Sequence, residues 1–235
     1  MQKNNWALPD IEERLGVSFQ RKEFLQEALT HRSYINENPD WPTGHNERLE
    51  FLGDAVLELV VTEFLFARFA EKPEGELTSL RAAMVNTMML ASRAADIGLN
   101  DALLLSRGEA KDTGRARQYL LANAFEALIG ALYLDGGYES AKKFLERVLF
   151  PQIDNVLEHR LWKDSKSLFQ EEAQERESIT PNYRVLREWG PDHAKRFVIG
   201  VFLGEEKIAE GEGDSKQEAE TQAAANGLET KGWGE

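Results

Sequence analysis

The stretch Asn46-Glu47-Arg48-Leu49-Glu50-Phe51-Leu52-Gly53-Asp54-Ala55-Val56-Leu57 decides how this chain is read. Glu47, Glu50 and Asp54 stand at i, i+3 and i+7. At ~100° per residue that spacing puts three carboxylates on one narrow face of a helix. Around them Leu49, Phe51, Leu52, Val56, Leu57, Leu59 and Val60 are apolar nearly all the way round, the pattern of a helix buried in a core rather than lying on a surface. Carboxylates in such surroundings are costly unless paired or bound to metal. Two explanations fit: a stripe of acids neutralised by nearby Arg or Lys, or ligands for a cation.

A second helix repeats the pattern. In Leu121-Ala122-Asn123-Ala124-Phe125-Glu126-Ala127-Leu128 the polar residues are Asn123 and Glu126, again i and i+3 in an apolar run. Taken singly, Asn123 reads as a core amide and Glu126 as half of a buried ion pair. Taken together, two helices that each offer oxygen ligands on one face suit a hard divalent cation. Di-iron bundles would need Glu-x-x-His. The residues three before His31, His45, His159 and His193 are Ala28, Pro42, Val156 and Gly190, so that reading fails. An all-oxygen set favours Mg²⁺-assisted phosphoryl chemistry.

The totals set outer bounds. The chain has 235 residues, enough for one large domain or two modest ones, and no cysteine, so neither disulfides nor thiolate metal sites arise. No run approaches the ~18 apolar residues that span a bilayer, and Met1-Gln2-Lys3-Asn4-Asn5 leads into no apolar signal segment. No membrane partner and a cytoplasmic address are expected. The net charge of −13, from 28 basic and 41 acidic residues, argues against nucleic acid when taken alone. A basic face can still coexist with an acidic remainder.

Along the chain, residues 9–29 read as two short helices closed by Gly16 and lined by Phe24, Leu25, Ala28 and Leu29. A loop with Pro39, Pro42 and Gly44 follows Thr30-His31-Arg32-Ser33-Tyr34. Helices are expected over 46–70, 76–97 and 118–134, and a further segment over 138–159 is interrupted by Pro151. The connection 104–117 is charged, with four basic residues in fourteen; a phosphate contact and a solvated loop fit it equally. Up to about residue 162 the chain reads as all-α. From about 163 the character changes: a capped helix over 165–177, strands over 182–188, 195–203 and 206–212, and an Ala-rich helix from Ser215 ending by Gly227. This is a small α+β unit of α-β-β-β-α order.

At this point the residues resemble a known family. His45-Asn46-Glu47-Arg48-Leu49-Glu50-Phe51-Leu52-Gly53-Asp54-Ala55 is similar to the signature of the ribonuclease III endonuclease domain. Leu29-Thr30-His31-Arg32-Ser33 and Phe125-Glu126-Ala127-Leu128-Ile129-Gly130-Ala131 look like its other characteristic segments. Lys166-Ser167-Leu168-Phe169-Gln170-Glu171, Gly190-Pro191-Asp192-His193 and Gly213-Asp214-Ser215-Lys216 resemble a double-stranded-RNA-binding domain. The resemblance covers nearly the whole chain, as an endonuclease domain over 1–162 and an RNA-binding domain over 163–235.

It implies a homodimeric, Mg²⁺-dependent endonuclease, with Mn²⁺ as an alternative ion. Such an enzyme cuts both strands of RNA duplexes to 5′-phosphate products with short 3′ overhangs, in rRNA and mRNA processing. By position, Glu50, Asp54, Asn123 and Glu126 would hold metal, with Asp54 and Glu126 catalytic. Glu47 and Glu74 match further acidic positions, and Phe51 would plug into the partner subunit. Gln170, Gln174 and His193 would meet minor-groove edges and 2′-hydroxyls, and Ser215 and Lys216 a phosphate. The sequence departs from the family pattern in two places. Asn123 falls where Asp is usual, which makes a weakened or silent RNA-binding homologue the alternative. Gln217, followed by Glu218, stands where a second basic residue is common. A regulator that binds RNA without cutting it, and a structural part of a larger ribonucleoprotein, are the other function classes.

Overall fold

The computed structural model describes residues 8–191 and 195–233. Three short helices, α1 (Leu8–Leu15), α2 (Lys22–Ala28) and α3 (Arg32–Glu37), lead into the long α4 (Glu47–Arg68). Then come α5 (Glu74–Val85), α6 (Thr87–Asp96), the single turn α7 (Leu99–Ala102), α8 (Arg115–Val148) and α9 (Gln152–Glu158). The remainder is α10 (Ser165–Glu177), β1 (Asn182–Trp189), β2 (Arg196–Leu203), β3 (Glu206–Gly213) and α11 (Lys216–Lys231).

The chain divides into two compact units at Val156 and Leu157, ahead of residue 163. Residues 157–163 go with the second unit because their cations pair with α10, Arg160 with Glu172 at 2.5 Å and Lys163 with Glu171.

The core of the first unit is the crossing of α4 and α8. Leu49, Val56, Leu57, Val60, Val61 and Leu65 face Leu121, Ala124, Phe125, Leu128, Ile129 and Leu132, all buried. The crossing is close because glycine meets backbone on both sides. A Cβ on Gly53 would lie 1.8 Å from the Glu126 carbonyl oxygen, and one on Gly130 would lie 2.3 Å from that of Leu49. Gly53 stands one residue before Asp54, and the carbonyl it meets belongs to Glu126. Backbone contact therefore sets the spacing of the acidic residues.

Several expected boundaries move. The helix expected over 76–97 is two helices: Asn86 adopts extended backbone, and its Oδ1 accepts the Met89 N–H at 2.9 Å. An asparagine that caps the following turn competes with helix continuation. The expected break at residues 135–137, by contrast, is present: Gly137 is non-helical, with φ 72° and ψ −170°, and two helices meet across it within the range given for α8. Asp135 there accepts the backbone N–H groups of Gln20 and Arg21. The start of the loop expected after Tyr34 belongs to the short helix α3, whose N-cap is His31.

Most consequentially, α4 is not buried all round. Phe51 is 83% exposed, Leu59 58% and Phe66 72%, and Glu47 and Asp54 are also exposed. An apolar sequence on every side of a helix did not mean burial on every side.

In the second unit the sheet order is β1-β2-β3, antiparallel throughout. Leu168, Phe169 and Ala173 of α10 and Ala223, Ala224 and Leu228 of α11 close over Val201 and Leu203. The final helix runs past Gly227 to Lys231 and stops at Gly232, whose φ is 64°. Gly227 is interior because the Phe169 ring sits where a side chain would go, 2.8 Å from a built Cβ.

The crossing yields a prediction. Gly53→Ala should destabilise the first unit by about 1–3 kcal/mol or more, the range for overpacking, and should depress cleavage with it. Gly75→Ala, which meets nothing within 4 Å, should leave stability unchanged or raised by up to about 1 kcal/mol. Urea unfolding of the two variants checks this; equal stabilities would remove the crossing as the constraint.

Candidate active site and RNA-binding surface

The first turns of α4 carry Glu47, Glu50 and Asp54, and α8 carries Asn123 and Glu126, across the glycine crossing. Half-buried Glu126 has its pKa pushed up to about 7, by burial first and then by the charges of Asp54 and Glu50. Glu50 is also raised, by burial and then by Glu47 and Asp54. Three carboxylates from two helices thus repel one another across a short gap.

Among the described residues, the side chains of Glu50, Asp54, Asn123 and Glu126 have no hydrogen-bond or ion-pair partner of opposite charge. Neutralisation by Arg or Lys is realised only at Glu47, which meets Arg32 at 3.4 Å and lies 3.7 Å from His45 Nδ1. Glu47, Glu50 and Asn123 line one cavity of about 70 Å³ together with His31, Asn46 and Leu120.

Glu74 stands apart. It is exposed at the start of α5, where its carboxylate accepts the Thr78 hydroxyl at 3.0 Å, and it is not among the charges acting on Glu50 or Glu126. Phe51 projects beside a second cavity of about 610 Å³, lined also by Phe24, Leu52 and Leu134. Sequence reading gave no role to His31 or Asn46 at the site. The quoted segment Leu29–Ser33 was the available signal for His31. Burial, ahead of the surrounding charges, lowers the His31 pKa.

In the second unit, Gln170 and Gln174 are exposed on α10 and share a shallow cavity of about 570 Å³ with Ser167, Glu171 and Glu175. His193 lies outside the described residues. Ser215 caps α11 by accepting the Glu218 N–H at 3.1 Å, while the Glu218 carboxylate accepts the Asp214 N–H at 2.8 Å. The Lys216 ammonium rests over the Phe197 ring, 5.7 Å from its centroid.

Most neighbouring cations already hold carboxylates: Lys166 with Glu220, Arg184 with Glu205, Arg196 with Glu212 and Asp214, and Lys231 with Glu177. Among the described residues of this unit, Lys216 and Arg187 have no carboxylate partner.

Residues 21–153 match the family profile described as Ribonuclease-III-like, and residues 165–231 match that of the double-stranded RNA binding motif. An acidic two-helix centre on a helical nuclease unit, followed by a duplex-RNA reader, defines an endoribonuclease that acts on double-stranded RNA. Full-length relatives agree. The chain is 45% identical over 222 residues to Ribonuclease 3 of Bdellovibrio bacteriovorus, covering 94% of each. It is 42% identical over 228 residues to that of Enterococcus faecalis, covering 97% of this chain and 98% of the relative.

A solved nuclease domain of ribonuclease III from Campylobacter jejuni, described for structural flexibility in a region involved in dimer formation, superimposes with a TM-score of 0.55. It is 42% identical and covers 62% of this chain and 99% of that one. The chain belongs to the ribonuclease III family. No helix among the described residues is long and apolar enough to cross a membrane.

The family implies a divalent metal ion, and the residues present fit one. Among the described residues no three His, Asp or Glu side chains stand close enough together to hold a metal ion as they are placed. The donors are nonetheless of the right kind: hard oxygens, unneutralised, and mutually repelling until a cation enters.

The raised pKa of Glu126 gives a pH dependence. Folding favours its protonated form, so its contribution to stability is fully present below pH 4.5 and is lost as pH rises through about 7. In chelator, wild type should lose thermal stability across that window relative to Glu126→Gln, and Mg²⁺ should narrow the gap. Parallel melting curves for the two proteins at every pH would contradict this.

Proposed function

We propose that the chain is a Mg²⁺-dependent endonuclease that cuts both strands of RNA duplexes. The products carry 5′-phosphates and short 3′ overhangs, and the protein acts in the cytoplasm in the processing of rRNA and mRNA. The observation that carries this reading is the set of three carboxylates, Glu50, Asp54 and Glu126, held in electrostatic reach of one another with no cation of the protein beside them. Glu50, Asp54 and Glu126 would hold the ion with Asn123, and Mn²⁺ suits the same oxygens. When bound, the ion supplies charge stabilisation at the phosphate and a more acidic water, so no protein nucleophile is required.

The chain's own residues do the rest. Asp54 and Glu126, on opposite helices, would hold the ion. Asn123 offers an amide oxygen without charge, leaving the site one negative unit poorer than an aspartate would. That favours weaker metal affinity rather than a silent homologue. Glu47, partly neutralised by Arg32, sits at the rim, and Glu74 would be a further acidic residue outside the cluster. In the second unit Gln170, Gln174 and His193 would read the shallow minor groove, and Lys216 and Ser215 would meet a phosphate.

The working species is a homodimer. Phe51, Leu59 and Phe66 form an exposed apolar face along α4, of the sort that a self-complementary two-fold contact covers. Phe51 would enter the partner subunit.

Long duplex RNA incubated with the protein, with and without Mg²⁺, tests the activity. Cleavage should require the ion, binding should survive chelation, and end analysis should find 5′-phosphates and short 3′ overhangs. Glu126→Gln should lower cleavage by ~100-fold or more, since outer-shell partners alone are worth about 10–100-fold, while gel-shift affinity stays unchanged. Cleavage of equal rate in chelator would overturn the metal reading.

Sedimentation tests the dimer. Phe51→Asp should weaken self-association by at least ~30-fold, the size of an interface hot spot of about 2 kcal/mol. An unchanged sedimentation coefficient at every concentration would exclude that face.

A further inference from the structure

We propose that His31 is a positioning residue of this cleavage site: its Nε2–H donates into the cleft lined by Glu47 and Glu50, directly or through one water, and fixes the orientation of the carboxylates there. The inference rests on the duplex-RNA endonuclease reading and assigns a role that the acidic residues alone do not fill.

Three observations carry it. First, His31 lines the same 70 Å³ cavity as Glu47, Glu50 and Asn123, a space with room for a bridging water. Second, the ring's tautomer is set by its other side. The Ser33 N–H donates to His31 Nδ1 at 3.3 Å, and the Ser33 hydroxyl lies 2.8 Å from the same nitrogen. That hydroxyl oxygen is itself engaged, accepting the Ser106 N–H at 3.0 Å. A nitrogen that accepts the Ser33 N–H carries no proton, so the neutral ring holds its proton on Nε2. Among the described residues, Nε2 has no partner.

Third, the backbone ties the ring to the helix it serves. The His31 N–H donates to Leu104 O at 3.0 Å, and the Asn46 N–H donates to Thr30 O at 2.9 Å. Asn46 O in turn accepts the Glu50 N–H at 2.8 Å. Thr30 is fully buried and Asn46 is 3% exposed, so the position of the imidazole relative to Glu50 is held by short main-chain links. A ligating carboxylate with a second hydrogen-bonding partner keeps its lone pair aimed at the ion, and outer-shell partners of this kind are worth about 10–100-fold in metal affinity or activity.

His31 also caps α3, so the test separates capping from positioning. Asparagine keeps a cap acceptor and lacks the distant N–H, whereas glutamine places an N–H near the Nε2 position but is a poor cap. The full chain is assayed under single-turnover conditions on end-labelled duplex RNA over a Mg²⁺ titration. His31→Asn should melt near wild type yet cleave ~10–100-fold more slowly, with unchanged RNA affinity and a higher half-saturating Mg²⁺. His31→Gln should regain much of the rate despite lower thermal stability. Ser33→Ala, which leaves the ring in place, should lower the rate without altering RNA affinity.

A readout independent of activity is the histidine ¹⁵N spectrum of the metal-free protein, in which His31 should be the Nε2–H tautomer. Wild-type rates for His31→Asn, no rescue by His31→Gln, or an Nδ1–H tautomer would each overturn the proposal while leaving the endonuclease reading intact. A wild-type chain inert toward duplex RNA would overturn both.

Discussion

The contact between Gly53 and the Glu126 carbonyl, mirrored by Gly130 against the Leu49 carbonyl, is the constraint on which the first unit depends. Two helices whose side chains are otherwise large and apolar can approach only where those side chains are missing. The approach does two things at once. It brings Phe125, Leu128 and Ile129 into full burial against Leu57, Val60 and Val61, where dispersion contacts and removal from water stabilise the pair. It also draws the flanking acids, Asp54 and Glu126, into mutual repulsion. Packing energy supplies the work needed to hold like charges near one another.

The candidate site and the second unit handle charge in opposite ways. Among the described residues, Glu50, Asp54 and Glu126 have no cation beside them, although elsewhere in the first unit Glu12, Glu63, Glu76, Asp96 and Asp154 are paired with Lys or Arg. In the second unit, cations are bound by carboxylates almost wherever they occur, and Glu218 occupies the N–H of Asp214 beside the last helix. A net charge of −13 is therefore no guide to where nucleic acid binds. The local question is which cations are free, and the answer narrows to positions such as Lys216 and Arg187.

Much of this was legible in the sequence, because helical spacing is a local property. Residues at i, i+3 and i+7 share a face whatever surrounds them, so Glu47, Glu50 and Asp54 could be aligned from their numbers alone, and Asn123 with Glu126. The strand pattern of the second unit was likewise carried by alternation. What was not legible depended on partners distant in sequence. Nothing local distinguishes a core helix from one with an open apolar face, so the exposure of Leu59 and Phe66 came only with the fold, and that of Phe51 was implied by the family resemblance alone. Gly227 looked like a stop because nothing nearby announced that Phe169 fills the space above it. Asn86 broke a helix whose apolar periodicity ran straight through it. The imidazole of His31 as a helix cap lies outside the usual choice of Ser, Thr, Asp or Asn.

The carboxylate partners of Lys166, Arg184 and Arg196 change what it means for the second unit to bind RNA. On a surface of free ammonium and guanidinium groups, a polyanion gains chiefly by shedding its condensed counterions. Here a phosphate that reaches one of these cations must first displace an anion covalently tethered beside it. Association becomes an exchange between two sets of anions, and the released carboxylate recruits solution cations of its own. Total charge then offers the ligand little advantage. What it must match is spacing: the phosphates have to arrive where several tethered anions can leave together.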